Sequence, residues 1–407
     1  MSFVELEENE YRVFWENHPL KSFLSAPEIG TLRKKNGWDL KYVGLIKDGT
    51  LVCATMLVSH KRRFNKKEFY APRGVLIDYN DKELVREFIT QLKRYIKSNG
   101  GYIFRMDPYL INKERNIDGE IVEDGVDNSS VKSYLLKLGF KQVQINSMEQ
   151  VGWMFSLDLE GKTEEELLKE MKPNTRNTIR KVEKLGIEIK ELKKEELDQF
   201  MDIMEETGAR KNFSVRKLDY YKDMYDLFHE KGEIKYLITK LDLNNYIHEL
   251  RETKKEKKEA LEKLNGAKYN DGARKQLTNE IESIERKEND TKELIERTGK
   301  DKIVLSGSMF IMIKPEIIYL SSGNYEEYLH FNSQYLIQWH MIKYGLENGF
   351  KKHNFYGIPA NINEHPKDYG IYEFKRGFNG YVEELIGEYE LPITWHYHLI
   401  KLIHKIR

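Results

Sequence analysis

Cysteine is nearly missing from this chain of 407 residues: Cys53 stands alone, which excludes an intramolecular disulfide and a cysteine-built zinc site and fits a reducing cytosol. Net charge is missing too. Lys plus Arg number 67 and Asp plus Glu 67, so no bulk positive field exists to hold nucleic acid, and any RNA contact must be local. No apolar run approaches the ~20 residues of a membrane span. The acidic start, Met1 to Tyr11, lacks the basic residues and apolar stretch of a signal peptide. A cytoplasmic protein is expected, soluble or peripheral at the inner membrane face. No Gly-X-Ser-X-Gly elbow occurs. Cys53 sits in a strand pattern between Val52 and Ala54 and reads as a buried structural thiol. His396 and His398 have no third ligand spaced with them, so no metal site is expected, and no cofactor.

What is present is enough apolar material to fold, 40% with 12% aromatic, in a chain long enough for two or three domains. Composition changes sharply over 241–302, where proline is absent and Glu and Lys dominate. Leu243, Ile247, Leu250, Lys254, Lys257, Leu261 and Leu264 step by four and three, as do Leu277, Ile281, Ile284, Glu288, Thr291, Ile295 and Thr298. Two heptad seams separated by a Gly266 to Gly272 turn predict an antiparallel coiled-coil helical hairpin, with Lys254 facing Glu288 across the seam. Such an arm serves as a local RNA contact or as a solvated spacer.

The flanking halves repeat one order. In the first, strands over 48–58 and 69–76 precede a helix from Glu83 to Ser98 and a strand over 102–107. In the second, strands over 306–313 and 317–325 precede a helix from Tyr335 to Asn348 and a strand over 350–358. A helix joining neighbouring strands implies a parallel pair, and the repetition a duplicated α/β unit. The order resembles that of GNAT-type acyltransferases. Neither half offers a glycine-rich pyrophosphate loop, only APRG (71–74) and SSGN (321–324), so an acyl donor other than CoA is favoured.

Several residues are placed where chemistry needs them. Asp107 ends a strand before Pro108 and reads as a proton acceptor, an ammonium holder or a strand-ending turn residue. Pro173 and an Asn174 N-cap open a helix in which Arg176, Arg180 and Lys184 form a cationic ridge opposite Ile179, Val182 and Leu185. The ridge suits phosphates or is a solvated face. Arg216 and Tyr220 share a face if their segment is helical. Lys375 lies between aromatics ahead of Gly377 and Gly380. The end of the chain puts Trp395, Leu399, Leu402 and Ile406 on one side, for a membrane surface or for packing on the first domain.

Taken together, YAPRG (70–74), Asp107-Pro108, the 174–190 stretch, the Arg216 to Tyr220 pair and YEFKRGF (372–378), in that order around the arm, resemble the FemABX family of peptidoglycan bridge-forming aminoacyltransferases. The resemblance covers essentially the whole chain. It implies an α/β fold of two GNAT-like acyltransferase domains, 1–150 plus 385–407 and 151–240 plus 303–384, with a coiled-coil arm at 241–302 inserted in the second. It also implies transfer of glycine, alanine, serine or threonine from aminoacyl-tRNA to the side-chain amine at the third position of a peptidoglycan stem peptide. The arm is similar to that of some family members, which implies lipid II over the soluble UDP-linked muramyl peptide. Carried over by motif, Arg216 and Lys34 or Lys35 would hold the diphosphate or nearby precursor groups. Asp107 and Tyr220 would line the peptide and acceptor amine, Lys375 would sit near the acyl donor, Arg73 and Tyr319 would bind substrate, and Arg176, Arg180 and Lys184 would meet tRNA. Asp107 and Lys375 would serve the chemistry.

Overall fold

The computed structural model describes residues 1–264, 271–360 and 366–405. Among these, two sheets form. The first has seven strands in the order Ser2–Leu6, Asp39–Lys47, Thr50–Lys61, Lys67–Ala71, Gly101–Met106, Tyr389–Pro392 and Lys141–Gln142. The second has eight, in the order Ile111–Glu114, Tyr381–Leu385, Trp153–Asp158, Lys352–Gly357, Glu316–Asn324, Lys302–Ile313, Ile234–Asp242 and Glu188–Glu191.

Each sheet contains the expected parallel pair around a helix. Lys67–Ala71 pairs in parallel with Gly101–Met106 across the helix Lys82–Ser98, and Glu316–Asn324 with Lys352–Gly357 across Ser333–Glu347. The first helix is started by Asp81, whose carboxylate accepts from Leu84 N at 2.9 Å, and it buries Leu84, Val85, Phe88, Ile89, Leu92 and Ile96 along one stripe. At roughly 1.5–3 kcal/mol per fully buried large side chain, that stripe holds the crossover on its sheet. Asp48 and Gly49, both at positive φ, close the two-residue turn between Asp39–Lys47 and Thr50–Lys61, the geometry for which Asp-Gly is suited.

Two expectations need correction. The strand read over 69–76 stops at Ala71, because Pro72 has no N–H for the ladder and Arg73 turns the chain at φ 50. Leu76 then bridges back to Ala54. At the second site, Lys172 rather than Asn174 precedes the helix Pro173–Val182, with Pro173 as its first residue and no side-chain cap.

The arm is the hairpin of Leu243–Lys263 and Asp271–Thr298, inserted between the paired strands Ile234–Asp242 and Lys302–Ile313. All fourteen seam residues are buried or half-buried. Lys254 Nζ meets Glu288 at 2.8 Å, as the register requires, and Arg251 and Lys292 join the same carboxylate. Most of the turn, 265–270, lies outside the described residues.

A single core joins the two sheets' helices. Tyr11, Trp15, Ile29 and Leu32 from the first part of the chain pack with Phe200, Ile203, Tyr221 and Met224 from the middle. Glu28 fastens this junction, accepting from Arg12 at 2.6 Å and pairing with Lys231. Walls contributed by both halves therefore share one core at the place where the clefts open.

Candidate active site

The parallel strands Glu316–Asn324 and Lys352–Gly357 pair only from Glu316↔Lys352 to Ile318↔Asn354. Beyond that point each carries an irregularity against its other neighbour: Leu320 is skipped between Phe310↔Tyr319 and Met309↔Ser321, and the register slips again between Asn354 and Gly357. A bulge bends a strand and ends its pairing, so the two strands part at their C-terminal ends, where open α/β sheets take their ligands. Two clefts result. Leu320 and Tyr356, one from each parted strand, line both.

The larger cleft, 860 Å³, lies between the first part of the chain and the segment before and within the helix Leu218–Phe228. Its cations include Arg33 and Arg216. Arg33 stands 5.2 Å from the Trp38 ring and 5.3 Å from that of Tyr70, and Arg216 lies 5.6 Å from the Tyr220 ring. Guanidinium planes braced on aromatic faces are pre-set for bidentate contact with phosphate oxygens. Glu149 is 4.0 Å from Arg33, and Asp219 and Asp223 complete a lining of mixed sign.

The smaller cleft, 500 Å³, includes Arg210, Phe213, Tyr319, Tyr335, Phe374 and Lys375 in its lining. Lys375, on the helix Pro366–Arg376, is 5% exposed. Its Nζ donates to Gly357 O at 2.7 Å and Tyr356 O at 3.3 Å. Carbonyl partners do not neutralise it, and desolvation lowers its pKa to about 7. Gly377 follows because no side chain fits: a Cβ there would lie 2.1 Å from Thr175 Oγ1. Tyr319 donates its hydroxyl to Gln334 Oε1 at 3.3 Å, and burial pushes its pKa up to about 12.

Two clefts thus share one wall, one lined by aromatic-braced guanidinium groups among carboxylates and the other by an amine without a counter-charge. The profile of the FemAB family matches residues 6–405. The chain belongs to the FemAB family. It is 31% identical over 404 residues to aminoacyltransferase FemB of Staphylococcus epidermidis, covering 97% of this chain and 95% of that one. Its identity to aminoacyltransferase FemA of Staphylococcus aureus is 29% over 407 residues, with 97% and 96% covered. The crystal structure of FemX shares the fold at a TM-score of 0.76 and 22% identity, over 99% of this chain and 100% of that one. A tandem GNAT protein from clavulanic acid biosynthesis aligns over 97% and 98% at a TM-score of 0.52 and 10% identity. The FemAB chain is thus an aminoacyltransferase on a duplicated GNAT-like fold.

Of the residues expected from sequence, Arg216, Tyr220, Tyr319 and Lys375 line the two clefts of this FemAB protein. Arg216 does so without sharing a helix with Tyr220, since the helix starts at Leu218; the pair is made by ring stacking. Lys34 and Lys35 do not join this lining, but Arg33 beside them does. Both lysines are exposed and line neither cleft, and Lys35 pairs with Asp223. Arg33 instead follows Leu32 and lies four residues after Ile29, the buried face of the helix Pro27–Lys35.

Asp107 and Arg73 lie beneath the cleft walls. They are 1% and 2% exposed and line neither cleft. Asp107 accepts from Tyr70 OH at 2.8 Å and Arg73 N at 2.9 Å, and its other oxygen is 3.4 Å from the Arg73 guanidinium. Burial raises its pKa to about 6, opposed by Arg73. Arg73 also donates to Val151 O at 2.7 Å. The pair is a bracket: through Tyr70 it backs Arg33. The ridge is shorter than expected, because the helix ends at Val182 and Lys184 sits on a 3₁₀ turn, Glu183–Leu185. Arg176 is engaged with Lys169 O at 3.0 Å, while Arg180 and Lys184 are exposed. None of the three lines either cleft.

Cys53 is fully buried, its pKa pushed up to about 12 by desolvation. At the C-terminus Tyr397 and Ile400, not Trp395 and Leu402, face inward against Tyr102 and Ile103; Trp395 and Leu402 are exposed. Ile406 and Arg407 lie outside the described residues. Among the described residues no helix is long and apolar enough to cross a membrane, and no three His, Cys, Asp or Glu side chains are grouped to hold a metal. Arg33 and Tyr356 are the functional candidates sequence reading missed.

Proposed function

We propose that this protein transfers an amino acid from aminoacyl-tRNA to the side-chain amine at the third position of a peptidoglycan stem peptide, on lipid II. The observation that carries the reading is the pair of clefts sharing Leu320 and Tyr356. The larger takes the acceptor, with Arg33 and Arg216 on its diphosphate and Tyr220 toward the peptide. The smaller takes the charged 3′ end of tRNA, with Lys375 facing its anionic groups. Membership of a family of aminoacyltransferases supports the reaction class.

The amine lone pair attacks the ester carbonyl that joins the amino acid to the terminal ribose. The tetrahedral intermediate collapses by breaking the bond to the ribose oxygen, leaving an amide and a free ribose hydroxyl. The gain comes from holding two substrates across one wall, so that a bimolecular reaction proceeds as though unimolecular. An alkylammonium with a pKa of about 10.4 must lose its proton before attack. Lys375, neutral in part near pH 7, stabilises the developing oxyanion when protonated. Small donors suit a 500 Å³ cleft that must also admit the ribose. The exposed cations Arg180 and Lys184 supply local charge for tRNA without making the chain basic. The work is done at the inner face of the membrane, to which the protein binds peripherally.

The test is transfer of radiolabelled amino acid from a total charged tRNA pool onto lipid II and, separately, onto the UDP-linked precursor. Label on lipid II in preference to the soluble precursor is expected. Label on the soluble precursor alone would overturn the lipid assignment, and label on neither would overturn the transfer reading.

A further inference from the structure

Tyr356, the wall between the clefts, stands at φ 63, a conformation that non-glycine residues hold only where their surroundings impose it. Its N–H donates to Asn354 Oδ1 at 2.8 Å and its carbonyl accepts from Lys375. The amide of Asn354 has a donor end and an acceptor end, and its neighbours decide which way it points. On the Nδ2 side lie Glu316 Oε2 at 3.1 Å and the Tyr109 hydroxyl at 3.2 Å. The Glu316 carboxylate, paired with Lys352, offers acceptors only, so the amide nitrogen must face it and the oxygen is left for Tyr356. Glu316 is fixed in turn by Tyr109 OH at 3.0 Å and Lys352 Nζ at 3.2 Å. Asn354 is fully buried and Glu316 is 5% exposed, so bulk water does not relieve a wrong orientation.

We propose that Asn354 and Glu316 are positioning residues for the transfer, acting through Tyr356: together they set the kink that closes the wall between the clefts and presents its carbonyls to Lys375. Neither lines a cleft. The inference rests on the transfer reading above and adds what the wall is for. With the wall in place, the donor ester carbonyl is reached by the acceptor amine. With the wall displaced, water reaches it, breaks the same carbonyl–ribose oxygen bond, and yields free amino acid and uncharged tRNA in place of the amide.

The experiment uses full-length Asn354→Ala and Glu316→Gln with labelled aminoacyl-tRNA and lipid II, following label in lipid and label released as free amino acid. Asn354→Ala is expected to lower kcat for transfer on the order of tenfold, leave KM for lipid II within about twofold, and raise the share of ester lost to water several-fold. Glu316→Gln keeps the volume but can donate, so the Asn354 amide is free to turn over; the same ratio should shift the same way by less. Amide exchange at Tyr356 should quicken in both. Folded variants with the wild-type division between transfer and hydrolysis would overturn the proposal. If Asn354→Ala does not fold, Glu316→Gln decides it. If the wild type transfers nothing, the transfer reading has failed, and unchanged exchange at Tyr356 in either folded variant would overturn the clamp as well.

Discussion

Lys375 Nζ is held 2.7 Å from the carbonyl of Gly357, and among the described residues no carboxylate pairs with it. The site therefore stores an uncancelled cost of burying charge, met when an anionic substrate arrives. Burial lowers the pKa to about 7 from an unfolded value of about 10.4. The unfolded chain binds the extra proton between those values, so stability rises with pH across that window and the penalty is fully present below it. Lys375→Met should melt above wild type at pH 6, with the difference shrinking by pH 9. Transfer should fall on the order of 100-fold with KM for lipid II unchanged, as for loss of an oxyanion-stabilising donor. Melting curves at the two pH values and steady-state kinetics check both halves.

The Asp107–Arg73 bracket makes the opposite kind of prediction. Removing one partner of a buried ion pair leaves the other unpaired, at a cost of about 3–5 kcal/mol. Asp107→Ala should lose stability of that order in urea titration. Per folded molecule its kcat should fall less than tenfold, whereas loss of a general base costs about 100-fold or more. A folded Asp107→Ala protein with a far larger loss of kcat would restore Asp107 to the chemistry.

Much of the fold was legible because it is written in periodicity. The seam residues 243–264 and 277–298 gave the hairpin its register down to Lys254 and Glu288, and the repeated strand–helix–strand order gave both parallel pairs. The site was legible where a residue type stood out locally, as with Lys375 among aromatics. It was not legible where tertiary placement decides. Tyr356 is distinguished only by a bulge and a positive φ, which a single sequence does not record. Arg33 carries a sequence signal, since its spacing from Ile29 puts it on the buried face while Lys34 and Lys35 fall outside. The role of Asp107 is ambiguous in sequence because a charged residue at a strand end takes its role from its partner, and Arg73 reaches it only because the expected strand breaks at Pro72.

The choice between Arg33 and the lysines after it is directly testable. A hydrogen bond to a charged group contributes about 1.5–3 kcal/mol, equivalent to roughly tenfold to a hundredfold in affinity. Arg33→Ala and Arg216→Ala should each raise KM for lipid II by at least about tenfold and leave KM for aminoacyl-tRNA within about twofold. Lys34→Ala should change neither. An effect of Lys34→Ala equal to that of Arg33→Ala, in initial-rate measurements with each substrate varied, would return the diphosphate to the exposed lysine.

Glu288 is the last residue whose role the geometry fixes. It is buried in the arm's seam and accepts from Lys254, Arg251 and Lys292, each at 2.8 Å. These cations hold its pKa well below the usual carboxylate range. The stability this contributes is present above the unfolded value of about 4.3 and is lost as pH falls below it. Acidification should therefore loosen the arm. A buried polar contact in a helical seam specifies register more than it adds stability. Glu288→Leu should keep or raise the arm's protection while permitting slipped pairings, and Glu288→Gln should lower protection without slippage. Amide exchange across 243–263 and 271–298, with Lys82–Ser98 as the internal reference, separates these outcomes. Protection in Glu288→Gln equal to wild type at neutral pH would remove the lock.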